Sequence, residues 1–153
     1  MSKLLGSLMV AAAAFAFTAP ALAAEQGTAS DAEAMVKKAV AFAKANGKDK
    51  LIAEVNSGKG QFIDRDLYVS VWSTKAVVMA HGTQPKLVGK DIIDLKDADG
   101  KFFMKEIVEK AAASGKGWTD YKWVNPVSKE IQLKSAYFEK MDDMIISTGF
   151  YKK

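Results

Sequence analysis

The chain has no cysteine. That excludes disulfides, Cys-ligated zinc, iron–sulfur clusters, thiol catalysis, C-x-x-C-H haem attachment and an N-terminal lipoprotein anchor. It has one histidine, His81, and one arginine, Arg65; its other basic residues are lysines. A lone His without Cys is poor zinc-site material, since zinc takes several N or S ligands. A formal charge of +4 carried on lysine is a weak nucleic-acid signal, because base and phosphate forks are built mostly from Arg. No nucleic-acid partner, metal or cofactor is expected. The catalytic fingerprints are missing too: no G-x-S-x-G, H-E-x-x-H, P-loop or Rossmann glycine pattern occurs. Repeats and low-complexity linkers are also lacking. What remains is ordinary globular composition, 49% hydrophobic and 26% charged over 153 residues, enough for one domain.

The one long hydrophobic run is N-terminal. Lys3 supplies a positive start, Leu8 to Phe17 an uncharged stretch, Pro20 a helix break and Ala21-Leu22-Ala23 a small-x-small cleavage site. This is the layout of a secretory signal peptide over residues 1–23, cleaved after Ala23 to leave a domain over 24–153. The alternative is a retained anchor, because Leu4 to Ala24 nearly reaches the ~20 residues a span needs. The expected compartment is a bacterial periplasm.

Helical periodicity follows. Ser30 and Glu33 have capping-box spacing, Gly47 is a stop signal, and Ala32, Met35, Val36, Ala39, Phe42 and Ala43 recur on one side. Residues 48–57 predict a short second helix. After Gln61 the period changes. Leu67–Trp72 and Ala76–Ala80 read as strands joined by a turn at Ser73–Lys75. A loop runs from His81 to Lys90, Asp97–Gly100 makes a turn, and a helix is expected over 101–113. Trp118–Val124, Ile131–Met141 and Met144–Tyr151 read as three further strands, with turns at Asn125-Pro126 and Asp142-Asp143. Hairpin-joined strands between helices predict an α+β domain with one antiparallel sheet.

In this order, several segments resemble the single Cache domains of bacterial chemoreceptors and histidine kinases. They are Asp66-Leu67-Tyr68-Val69, Ala80-His81-Gly82, PKLVGK from Pro85, KDADGK from Lys96, GWTDYKW from Gly117, and Asn125-Pro126, with Lys134, Tyr137, Gly149 and Tyr151. The resemblance runs from about residue 28 to the C-terminus. It implies a PAS-like five-stranded antiparallel sheet with a long N-terminal helix. It also implies a small-ligand pocket on the sheet's far side, under a loop and helix cap. The ligands it implies are small carboxylates such as acetate, propionate or pyruvate. The sequence stops at Lys153 without a second membrane helix or kinase module. A stand-alone secreted sensor reporting to a membrane receptor or histidine kinase is therefore expected, with the oligomeric state open.

Each candidate site residue has two readings. His81 sits in the family's Ala-His-Gly position and is expected to donate to a carboxylate; otherwise it is a loop His bonded to a backbone carbonyl. Tyr121 and Trp123 alternate, so they share a face, as do Tyr68, Ser70 and Trp72; aromatics with polar tips suit a small pocket, or are ordinary core. Lys134 is either a solvent-face charge or an inward ammonium that needs an anion. Tyr137 completes the candidate set with Tyr68, although strict alternation separates it from Lys134. Arg65 is expected at the surface, paired with Asp64 or Asp66. Asp97, Asp99, Gly100 and Glu106 imitate part of a calcium loop, but Leu95 occupies its first ligand position, so a turn and helix cap is expected. Three function classes follow: a carboxylate-binding sensor, a ligand-free interaction domain whose pocket is filled by rings, and, least supported, an enzyme.

Overall fold

Helix α1 (Ala29–Asn46) is capped by Thr28, two residues before the expected Ser30. The structure, a computed structural model, describes residues 25–153; the expected signal segment lies outside the described residues. Thr28 Oγ1 accepts the Asp31 N–H, and Asp31 Oδ2 accepts the Thr28 N–H, closing a Thr28/Asp31 box. Tertiary contacts move the start: Asp31 also meets Arg65, and the Gly27 N–H is bound by the buried Asp66 carboxylate at 2.8 Å. Glu33 is engaged instead by Lys37, one turn on. The helix stops at Gly47 (φ 93°), whose N–H returns to the Ala43 carbonyl, and α2 (Lys48–Asn56) follows.

The strands are β1 (Ile63–Asp64), β2 (Leu67–Tyr68), β3 (Ser70–Ser73), β4 (Val78–His81), β5 (Lys116–Val124), β6 (Ile131–Met141) and β7 (Met144–Tyr151). A five-stranded sheet runs β4-β3-β7-β6-β5 with every neighbouring pair antiparallel, and β1 and β2 form a separate small hairpin. The segment Leu67–Trp72, read as one strand, is thus two. At Val69 the N–H turns to Phe62 and the carbonyl to Gly82, handing the chain from the small hairpin to the main sheet. The second expected strand starts later, because Ala76 sits in the turn at φ 64°. Opposite Val71 and Trp72, β4 carries one extra residue, Met79. That bulge sends Ala80 to one core and Val78 to the other, although uninterrupted alternation would place them together.

Helices α1 and α2 cover one sheet face over Val71, Ala80, Met144 and Ile146. Helix α3 (Phe103–Ser114) covers the other with Phe103, Met104, Ile107 and Ala111, against Trp72, Val78, Phe138 and Ile145. Full burial of each large apolar side chain contributes about 1.5–3 kcal/mol.

Side chains and loop backbone occupy part of both edges of the sheet. Along β4, the Val78 N–H and C=O bond to Lys90 and Gly89, and the Asn56 side chain spans the Met79 carbonyl and His81 N–H. Along β5, Lys110 Nζ donates to the Trp118 carbonyl, Lys101 Nζ to that of Asp120, and the Lys122 N–H to Asp97. Asp97 also accepts the Asp99 and Lys101 N–H groups and so organises the expected turn, whereas the expected helix cap does not form: the helix that follows starts after Phe102 without a side-chain cap.

Candidate functional site

Register gathers the polar residues of the α3 face at one end of the sheet. Ser70 pairs with His81, Tyr121 with Lys134, and Lys134 with Tyr151. Paired residues share a face, so these side chains stand beside Trp72 and Trp123. Tyr68, just before the break at Val69, joins them. Leu87, Ile92 and Phe103 close the other side. The enclosed cavity has room for the centre of about one water, about 10 Å³. Among the described residues none that lines it is Asp or Glu. An outer surface cleft of about 350 Å³, bordered by Gln84, Lys96 and Lys122, shares Trp123 with the cavity.

Lys134 points inward and is 3% exposed. Among the described residues no carboxylate lies within ion-pair distance of it. Its Nζ donates to the Tyr68 phenol at 2.9 Å and lies 4.2 Å from the Tyr68 ring centre, 5.5 Å from that of Tyr151 and 5.9 Å from that of Tyr121. Burial pulls its pKa down, but the Tyr121 and Tyr68 oxygens pull it up and prevail. Three ring faces partly solvate an ammonium in this position. Gly149 makes this path possible. A Cβ there would lie 2.4 Å from Lys134 Cε and 2.9 Å from the Ser135 carbonyl oxygen.

From Lys134 a chain of hydrogen bonds leads through Tyr68 and Tyr151 to the end of edge strand β5. The Tyr151 hydroxyl donates to the Val124 carbonyl at 2.8 Å, so the Tyr68 hydroxyl, 3.3 Å away, is the donor between the two phenols. Tyr68 is then left accepting from Lys134. Burial, with Tyr68 alongside, pushes the Tyr151 phenol far up, so it stays protonated.

His81 is buried at the cavity wall, its ring 5.1 Å from that of Tyr68. Its Nδ1 accepts the backbone N–H groups of Thr83 and Gln84, at 3.3 and 3.0 Å. This inverts the alternative reading, in which the ring donates to a carbonyl. The neutral ring then carries its proton on Nε2, and among the described residues no protein acceptor meets it. Burial, aided by the Lys134 charge, lowers the imidazole pKa to about 3. The aromatic wall is continuous. Phe103 stacks on Tyr121 with ring centres 4.2 Å apart and meets Trp123 edge-on at 5.5 Å.

Of the six sequence candidates, His81, Tyr121, Trp123, Lys134 and Tyr68 come together. Tyr137 does not. β6 pairs without a bulge, so alternation holds and Tyr137 faces α1, packed on Trp118 and donating to Glu139 at 2.6 Å. Arg65 is also remote, held by Asp64 and Asp31; Asp66 bonds Gly27 rather than Arg65. Tyr151 and Phe103 are additions to the candidate set. Tyr151 had a signal in the motif string, but the place of Phe103 depends on how α3 docks.

A family model described as single Cache domain 2 matches residues 10–153. A methyl-accepting chemotaxis protein from Vibrio parahaemolyticus is similar in structure, with TM-score 0.69 and 21% identity over 80% of this chain and 86% of that one. The periplasmic sensor domain of a chemotaxis protein matches with TM-score 0.63 and 24% identity, covering 79% of this chain and 88% of its own. So does a Cache chemosensory domain whose structure is described as the basis for carboxylic acid recognition, with TM-score 0.63 and 23% identity over 79% and 86% of the two chains. These likenesses show a common fold, and with the family match over nearly the whole length they make this chain a member of the single Cache domain 2 family.

Proposed function

We propose that this sensor domain binds a small monocarboxylate in the cavity between the sheet and α3. Single Cache domains are extracytoplasmic, non-catalytic signalling modules. The observation that carries the reading is the buried Lys134 ammonium, which has no carboxylate partner among the described residues and lies in the same cavity wall as the His81 ring. A ligand carboxylate would take donors from both. With no Asp or Glu among the described residues of the lining, the ammonium of an amino acid would be left unpaired, and so would the second carboxylate of a diacid. The cavity is too small for a two-carbon acid as it stands, so binding includes an outward shift of the wall, drawing on the cleft behind Trp123.

Calorimetry with acetate, propionate, pyruvate and lactate tests this. At a ceiling of about −1.5 kcal/mol per heavy atom, acetate is limited to a Kd of about 40 μM and the six-atom acids pyruvate and lactate to about 0.3 μM. Lys134→Ala is expected to weaken binding by about 2–5 kcal/mol; equal affinity in both proteins would remove Lys134 from the site. The small cavity also favours a second reading, a ligand-free interaction domain filled by its own rings. Absence of heat with every acid would support it.

The reading extends to cell context. The protein is exported, its signal segment is removed after Ala23, and its occupied state is read by a membrane receptor or histidine kinase. Similar domains in chemotaxis proteins support the sensing role; the cleavage rests on the residue pattern over 1–23. N-terminal sequencing of the native protein that begins at Met1 would refute the cleavage.

A further inference from the structure

Beyond being a ligand donor, His81 has a second nitrogen engaged elsewhere. The loop after β4 begins Gly82-Thr83-Gln84, continues through a short 3-10 turn at Pro85–Leu87, and presents Leu87 and later Ile92 to the cavity. Its far part is strapped to β4 by the Gly89–Val78 and Val78–Lys90 hydrogen bonds, and Ile92 is bound to Ala76. Its near part hangs on the imidazole. The Thr83 and Gln84 amides both converge on His81 Nδ1, while the ring itself is fixed by its place on the sheet and by the Asn56 bond to the His81 amide. Gln84 also borders the outer cleft. The same ring therefore lines the cavity and holds the first stretch of the loop whose later residues, Leu87 and Ile92, close it.

We propose that His81 is a positioning residue that couples loop closure to ligand capture. Its Nδ1 holds the loop through Thr83 and Gln84, and this fixes the tautomer that offers Nε2–H to the anion. This deepens, and rests on, the carboxylate reading of the cavity. The imidazole can serve both ends at once only while neutral. A proton on Nδ1 would remove the acceptor and release both amides; a proton on Nδ1 alone would also withdraw the donor from the anion. By linkage, an anion that orders the ring from the Nε2 side must tighten the loop bonds on the Nδ1 side by the same factor that closure tightens its own binding.

The two nitrogens can be separated by substitution. Asn places a carbonyl oxygen near the Nδ1 position, and Gln places an amide N–H near the Nε2 position. Hydrogen exchange at the Thr83 and Gln84 amides is followed in the full chain, empty and with saturating acetate, using amides of β6 as the reference for intact folding. In the empty proteins, His81→Asn is expected to keep wild-type protection at both amides. His81→Gln is expected to speed their exchange about tenfold, the loss of roughly one hydrogen bond. Acetate is expected to slow both amides in wild type, and to bind His81→Asn about tenfold more weakly. Wild-type exchange in both empty variants would overturn the tie. So would acetate binding that leaves the Thr83 and Gln84 amides of wild type unchanged. Failure of acetate to bind wild type would count against the carboxylate reading, while the comparison of the empty variants would still decide whether Nδ1 holds the loop.

Discussion

At Gly149, adding a single methyl group tests how the Lys134 side chain is threaded. The missing Cβ is what lets the Lys134 stem cross β7. Gly149→Ala is expected to destabilise the fold by about 1–3 kcal/mol, the range for overpacking, and to weaken acetate binding by displacing the ammonium. Urea denaturation and calorimetry check the two effects; unchanged acetate affinity would mean that Lys134 has another path. His81 gives a pH signature. Its ordinary pKa of 6.5 is lowered to about 3 in the folded chain, first by burial. The folded state thus favours the neutral ring. The associated stability is complete above pH 6.5 and is lost as pH falls from there towards 3. The melting temperature of wild type is expected to decline more steeply over this window than that of His81→Asn; parallel declines would show that the ring protonates freely when folded. The direction of Lys134 was undecidable in sequence, because a lysine in alternation fits solvent and cavity equally. That of His81 was set by the bulge at Met79, which has no Gly or Pro to announce it.

Elements with strong local signals match their sequence boundaries. β6 and β7 span the expected residues because Asp142-Asp143 makes a tight turn, with Asp142 at φ 53°. β5 begins two residues early, directly after Gly115 in the left-handed conformation ends α3. Where a boundary depends on tertiary partners, the sequence misleads. Leu67–Trp72 has no breaker, and its division at Val69 follows from bonds to Phe62 and Gly82. The start of α1 is a similar case, since two overlapping boxes compete and Arg65 and Asp66 select Thr28 over Ser30. Thr28→Ala is therefore expected to cost about 1 kcal/mol, and Ser30→Ala less than about 0.5 kcal/mol. Equilibrium unfolding of the two variants decides between the boxes, and a larger loss from Ser30→Ala would reverse the assignment.

On the scale of the whole molecule, the sheet, its two helical faces and most of the cavity wall were legible from periodicity and motif order. The closure of the cavity was not, since it depends on how the loop at 82–102 and α3 settle on the sheet. If the cavity opens to a monocarboxylate, acetate at about 100 times its Kd is expected to add about 2.7 kcal/mol to the unfolding free energy. Succinate and alanine at equal concentration are expected to add far less, and equal stabilisation by all three would contradict selection by a single buried cation. The partly covered edges of the sheet bear on how such a change is passed on. The Asn56 side chain, the Gly89–Lys90 strap, and Asp97, Lys101 and Lys110 already occupy outward backbone groups of β4 and β5. A neighbouring protein that extended the sheet there would have to displace these side chains and the strap first. Its grip is more easily spelled in side chains on the helices and loops, where one exchanged charge can rewire the conversation without disturbing the fold beneath it.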